Sequence, residues 1–282
     1  MSIVFLNGEY KSAAEAKISV FDRGFLLGDG VYEVIPAYSG KLFRRDEHLR
    51  RLQDSLDAIR LKNPYSISQW ASLLRKLIKE NQAQDLSLYL QVTRGVAARD
   101  HAFPAEVKPT VFAMANKIIP PDQSLYEKGV SAITLDDNRW SRCNIKAISL
   151  LPNVLLRQQA VDQGVAEAIL VREGCVTEGA ASNVFAVIAG EIMTPPKSQH
   201  LLPGITRDLV IELARKHGMP AVEQDLPLEQ FELADEIWLT SSTKEILPVT
   251  QLNGKPVAAG EPGEMWLRMS KIYAHFKKTL HL

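Results

Sequence analysis

An Asn7-Gly8 pair directly behind the apolar run Ile3–Leu6 leaves the start of this chain few folds. A two-residue Asn-Gly turn needs positive φ at both positions, which an antiparallel hairpin accommodates at low cost. Val31–Tyr38 continues the pattern with alternating β-branched and aromatic residues, and Ser39-Gly40 turns it back into Lys41–Phe43. These runs predict an antiparallel N-terminal sheet. Asp46 is placed to cap a helix over 46–60, where Leu49, Leu52, Leu56 and Ile59 recur at helical spacing. Ser66–Asn81 repeats the pattern with Trp70, Leu73, Leu74, Leu77 and Ile78, and Leu86–Arg94 and Thr110–Ala115 read as strands.

The stretch Ile118-Ile119-Pro120-Pro121-Asp122 has linker composition. It predicts an N-terminal domain over 1–118, a linker over 119–123 and a second domain over 124–282. The second half alternates strands and helices. Gly129–Leu135, Ala166–Val171, Asn183–Ala189 and Ile237–Thr240 read as strands. Pro152–Gln163 and Thr206–His217 read as helices stopped by Gly164 and Gly218, and Met265–Leu280 as a terminal helix. The fold class is therefore α/β in the broad sense, with α+β character in its first half.

The 282 residues carry 33 Lys+Arg and 33 Asp+Glu, so no basic footprint for nucleic acid or an anionic membrane is expected. No apolar run approaches the ~18 residues of a membrane span, and the N-terminus turns polar too soon for a secretory signal. The two cysteines, Cys143 and Cys175, form neither a disulfide framework nor a metal motif, so reduced thiols in the cytoplasm are expected. With no net charge, little self-repulsion opposes association.

Five segments could carry chemistry. Pro203-Gly204-Ile205-Thr206-Arg207 stands just before a helix, where free N–H groups suit a phosphate or simply start the helix. Leu239-Thr240-Ser241-Ser242-Thr243 ends an apolar strand with hydroxyls that suit an anion or a solvated turn. No P-loop or Gly-x-Gly-x-x-Gly accompanies them. Lys146 lies between apolar neighbours, near Arg139 and Arg142 in sequence, where desolvation and nearby cations would activate an amine. In Thr177-Glu178-Gly179-Ala180-Ala181-Ser182-Asn183 an acidic residue leads into a small-residue bend and then a strand, so Glu178 could meet a heteroaromatic nitrogen, or the bend is a plain turn between two strands. Arg99 and His101, two apart, would share one side of an extended segment and suit a small carboxylate.

Together these segments resemble the fold-type IV pyridoxal-phosphate enzymes, which include D-amino-acid and branched-chain aminotransferases and aminodeoxychorismate lyase. The markers are Asp22-Arg23-Gly24, Gly28-Asp29-Gly30-Val31-Tyr32-Glu33, His48-Leu49-Arg50-Arg51-Leu52, Lys146 with Asn153, Thr177-Glu178-Gly179, Gly204-Ile205-Thr206 and Thr240-Ser241-Ser242. The resemblance implies a two-domain fold with pyridoxal 5'-phosphate in the interdomain cleft. It implies that Lys146 is the Schiff-base lysine and Glu178 the pyridinium partner. Arg51, Ile205, Thr206, Ser241 and Ser242 would then form the phosphate cradle, with Leu202 against the ring. Tyr32, Arg99 and His101 would bind substrate. The pattern Arg94-Gly-x-x-x-Arg99-x-His101 looks like the D-amino-acid branch, in which that pair reaches over from a second subunit. The implied activity is transfer of an amino group between D-alanine, or other D-amino acids, and 2-oxo acids by a homodimer. A branched-chain L-amino-acid aminotransferase, a lyase on the same fold and a non-catalytic binding module are the alternatives. Ala180 and Ala181 stand where the family often carries serines.

Overall fold

The computed structural model describes residues 2–83, 85–106 and 108–279. These form two compact units. The first takes the chain up to Ile119 together with Ile145–Leu150, and the second takes Pro120–Asn144 and the described chain from Leu151 on.

The first unit contains β1 (Ile3–Leu6), β2 (Glu9–Ser12), α1 (Arg23–Leu27), β3 (Gly30–Tyr38), β4 (Lys41–Leu42), α2 (Arg45–Ala58), α3 (Ile67–Asn81), β5 (Leu86–Thr93) and β6 (Thr110–Lys117). Its strands run β2-β1-β6-β5-β3-β4, and every pairing is antiparallel. The predicted hairpin is present, with Asn7 at φ 50° and Gly8 at φ 101°. Leu49, Leu52 and Leu56 of α2 and Trp70, Leu74 and Leu77 of α3 share one buried cluster with Val31, Ile35, Leu88 and Leu90 of the sheet. Ser66 and Gln69 close a reciprocal capping box at the start of α3. Helix α2 departs from expectation. It starts at Arg45 behind a left-handed Arg44, and Asp46 is not its cap. Phe43 N–H bonds back to Pro36 O, so the chain enters the helix early. Asp46 instead sits in the first turn, favourable to the helix dipole, and pairs with Arg45.

The second unit contains α4 (Ser124–Glu127), β7 (Val130–Asp136), α5 (Leu151–Asp162), β8 (Glu167–Arg172), β9 (Cys175–Gly179), β10 (Asn183–Ile188), β11 (Glu191–Thr194), α6 (Ile205–Lys216), β12 (Ala221–Glu223), β13 (Leu226–Pro227), α7 (Leu228–Phe231), β14 (Glu236–Ser241), β15 (Glu245–Leu252), β16 (Lys255–Pro256) and α8 (Glu264–Thr279). A ten-stranded sheet runs β12-β11-β10-β14-β15-β7-β8-β9-β13, with β16 on β15. The β7–β8, β7–β15 and β11–β12 pairs are parallel. Gly164 and Gly218 stand beyond α5 and α6 at φ 70° and 64°, as the sequence predicts. Leu280, the last residue of the predicted terminal helix, lies outside the described residues. No described helix is long and apolar enough to cross a membrane.

The bend expected after Glu178 is present at Ala180–Ser182, between β9 and β10. One sequence expectation needs correction. The expected second domain over 124–282 includes residues 145–150, but these belong to the first unit. Ala147 bridges Val31, Tyr32 N–H donates to Lys146 O, and Ile145 is buried in the first unit's core. An apolar residue and free backbone groups draw this strip onto β3.

Candidate active site

The returning strip puts Lys146 on the first unit. Its Nζ lies 4.1 Å from the centre of the Tyr32 ring, and Tyr32 stacks on Tyr89 at 5.6 Å. The Lys146 N–H donates to Ser55 Oγ of α2. An amine whose backbone is fixed at both N–H and C=O is well placed to act as a nucleophile.

Strand β3 alternates sides, so Glu33 points away from Tyr32 and into the core against α2. Glu33 is fully buried and accepts from Arg51 Nε at 2.7 Å, Arg51 Nη2 at 2.9 Å and His48 Nδ1 at 2.8 Å. Burial alone would raise its pKa, but the Arg51 charge and these hydrogen bonds hold it far below the carboxylate range. Burial pushes the His48 imidazole downward, against the pull of Glu33. The two-point grip orients the Arg51 guanidinium.

Arg99 and His101 are exposed and lie on the 95–106 segment between β5 and β6. Neither side chain makes a hydrogen bond or ion pair among the described residues, with Lys146 and Tyr32 or with any other. The backbone around them is held from below. Arg23 Nη1 donates to Asp100 O at 2.6 Å and Ala102 O at 3.2 Å. Asp29 accepts from Arg23 Nε and Arg94 Nε at 2.8 Å each. Burial would raise Asp29, but the hydrogen bonds and charges of Arg94 and Arg23 outweigh it and leave its pKa lowered.

In the second unit, Glu178 accepts from Arg139 Nη1 at 2.5 Å, Leu202 N–H at 3.0 Å and Asn183 Nδ2 at 3.2 Å. Burial still pushes its carboxyl up to about 7, with Arg139 pulling the other way and Asp137 adding repulsion. Arg139 is shared: Asp137 takes its Nε and Nη2 at 2.9 Å each, and His200 O accepts from Nη2. The cation that the sequence offers to Lys146 is therefore engaged by carboxylates.

Gly204 caps α6, and among the described residues no side chain bonds the helix's first N–H groups, so the helix starts on bare backbone. A Cβ on Gly204 would run into Asn183 Oδ1, so only glycine lets this turn pass so close to β10. Asn183 Nδ2 also donates to Leu202 O at 2.8 Å. Asn183 pairs with Thr240 across β10 and β14. The Thr240 hydroxyl is buried with no hydrogen-bond partner among the described residues, next to half-buried Ser241 and Ser242. Bare helix N–H groups and an orphaned hydroxyl fit an anionic group such as a phosphate, and a buried carboxyl that can hold or release a proton fits a heteroaromatic nitrogen. Ala180 is buried, with its N–H on Ala168 O and its carbonyl accepting from Asn153 Nδ2. A serine hydroxyl is not needed to hold that bend.

Sequence reasoning did not assign roles to Asn183, Asp137 or Glu33. Asn183 and Glu33 stand inside or beside quoted motifs. Asp137 is signalled only by being two residues from Arg139, a spacing that gives a chelating pair here because β7 has just ended.

A family model described as amino-transferase class IV matches residues 30–252. The chain is 42% identical over 264 residues to a D-alanine aminotransferase of Staphylococcus haemolyticus, covering 93% of each. It is 42% identical over 262 residues to one of Bacillus licheniformis, covering 93% of this chain and 92% of the relative. Among solved structures, a branched-chain amino acid aminotransferase from Escherichia coli superimposes with a TM-score of 0.89 at 30% identity, covering 96% of this chain and 92% of that one. One from Thermoproteus uzoniensis superimposes with a TM-score of 0.88 at 27% identity, covering 97% and 94%.

Proposed function

The chain belongs to the class IV aminotransferases, which depend on pyridoxal 5'-phosphate, and we propose that it moves an amino group between D-alanine, or another D-amino acid, and 2-oxo acids such as 2-oxoglutarate. The observation that carries the choice of substrate is the 42% identity to D-alanine aminotransferases over nearly the whole chain. The solved branched-chain enzymes share the fold at 27–30% identity.

When bound, the cofactor supplies a carbonyl that exchanges for the amino group and a ring that withdraws electrons. Lys146 Nζ would bind that carbonyl and, as a free amine, would hold and move the proton at the substrate Cα. The Tyr32 ring beside it walls off one side of the amine. Glu178 would take the ring nitrogen and keep a proton there, with Arg139 and Asn183 fixing its two oxygens. Ile205 and Thr206 N–H groups, Ser241, Ser242 and Arg51 would hold the phosphate, and Leu202 would pack against the ring. Arg99 and His101 take the substrate carboxylate, together with Tyr32.

Because Arg99 and His101 are exposed and make no hydrogen bond among the described residues, they suit a site completed between two copies of the chain, and we read the protein as a homodimer. Exposed Val20, Phe21, Phe25 and Val96 gather on the same unit and support such a contact. Both cysteines are free, in keeping with a cytoplasmic location.

A substrate panel tests the reading. Purified protein should make pyruvate from D-alanine only when 2-oxoglutarate is present. Turnover of L-leucine without any D-amino acid would overturn it in favour of the branched-chain activity, and sustained pyruvate release without an acceptor from an amino acid that carries a leaving group on Cβ, such as D-serine, would point to a lyase.

A further inference from the structure

We infer that Asp29, acting through Arg23 and Arg94, sets the conformation of the 95–106 segment and so aims Arg99 and His101 at the substrate carboxylate. This rests on the reading that those two residues bind that carboxylate. The residues Asp22-Arg23-Gly24 and Gly28-Asp29-Gly30 form two sequence motifs to which none of the chemistry above gives a task. In the structure they meet beneath this one segment.

The geometry is specific. Asp29 holds two guanidiniums at once, with Arg94 Nη2 adding a bond to Asp29 Oδ1 at 3.1 Å. The freed edge of Arg23 binds the carbonyls of Asp100 and Ala102, the two residues that flank His101. Arg94 bonds Ile59 O at 2.8 Å and lies 3.8 Å from the centre of the Phe103 ring. At the start of the segment, Arg23 N–H donates to Gly95 O and Asp22 accepts from Thr93 Oγ1. Gly95 sits at φ 91°, where a Cβ would also run into Lys108 O. Residues 98–103 are themselves exposed, so they bury little apolar surface of their own. A loop of this kind keeps one shape only if its backbone carbonyls are tied to something rigid. A carboxylate trap must hold its donors within fractions of an ångström to gain from bidentate geometry. Asp29, Arg23 and Arg94 are thus positioning residues that do not touch the substrate.

The test compares D-alanine with isopropylamine, in which a methyl replaces the carboxylate, on the holoenzyme. It also follows amide hydrogen exchange over 95–106. Asp29→Asn should raise KM for D-alanine about tenfold, leave kcat/KM for isopropylamine within twofold and speed exchange across 98–103. Arg23→Gln, which leaves Asp29 paired to Arg94, should move the same readouts in the same direction by less, and serves if Asp29→Asn does not fold. Arg99→Ala should raise KM for D-alanine with exchange unchanged. Equal losses for both substrates, or unchanged exchange in Asp29→Asn and Arg23→Gln, would overturn the positioning role. If Arg99→Ala affects both substrates alike, it is the carboxylate reading that fails, while the exchange measurement still decides whether Asp29 holds the segment.

Discussion

Glu33 and Glu178 are both buried, both engage an arginine, and titrate in opposite directions. Glu33 has Arg51 on both of its oxygens and His48 as a third donor. Glu178 has one bond from Arg139, whose Nε and Nη2 both go to Asp137. An arginine divided between two carboxylates compensates each only in part; Asp137 takes two of its bonds and pairs with Arg172 besides, so desolvation wins at Glu178, which takes one. The difference separates a fixed anion, useful for holding a side chain still, from a carboxyl near neutrality, useful for holding a proton.

Four measurements would break or sharpen that contrast. The largest effect is expected at the amine between them in sequence. Lys146→Ala should lower transamination about 10⁴-fold or more and abolish the visible absorbance of the reconstituted protein, without moving its melting temperature by more than a few degrees. Next, Glu33→Ala should cost about 3–5 kcal/mol in chemical denaturation, because it strands Arg51 in the core. A loss below ~1 kcal/mol would mean that Glu33 is not the fixed anion described.

The third measurement is a pH profile. A carboxyl whose folded pKa is raised stays protonated in the fold while the unfolded chain ionises. Between the ordinary 4.5 and about 7, Glu178 therefore makes stability fall as pH rises, levelling above 7. In cofactor-free protein, Glu178→Gln should remove that slope, worth up to about 3 kcal/mol. Glu33 has the opposite sign, since its contribution is complete above the ordinary carboxylate range and is lost as the medium acidifies below it. The smallest effect is at Asp137→Asn, which frees Arg139 for Glu178. The stability slope between pH 4.5 and 7 should shrink, and an unchanged slope would remove Asp137 from the account.

Much of this was legible in the chain. Asn7-Gly8, the Leu49/Leu52/Leu56 stripe and the glycines after α5 and α6 are local signals, and each yields its element. Strand β15 was hidden by Pro248, which argues against a central strand. Its missing N–H is tolerated because β7 joins only from Val249 onward, beside a register shift. The site was legible as a set of motifs, not as a geometry. Nothing in Arg139-Trp140-Ser141 tells which carboxylates will divide the guanidinium, and nothing around Ile145 tells that the strip folds onto the first sheet. Both depend on partners far away in sequence.

That strip also orders the protein's assembly in time. A ribosome has finished every strand of the first sheet at Lys117, while the residues that carry its reactive amine are still unmade. Chains fold largely as they emerge, so the nascent sheet waits with a gap over Val31 and Tyr32 until residue 150 has appeared. A gene fragment cut at Pro120-Pro121, the obvious seam, would give a half-protein lacking both Ile145 and Lys146. A split enzyme or a circular permutant of this chain should instead be opened at an exposed turn such as Glu173-Gly174, which leaves the strip joined to both of its neighbours.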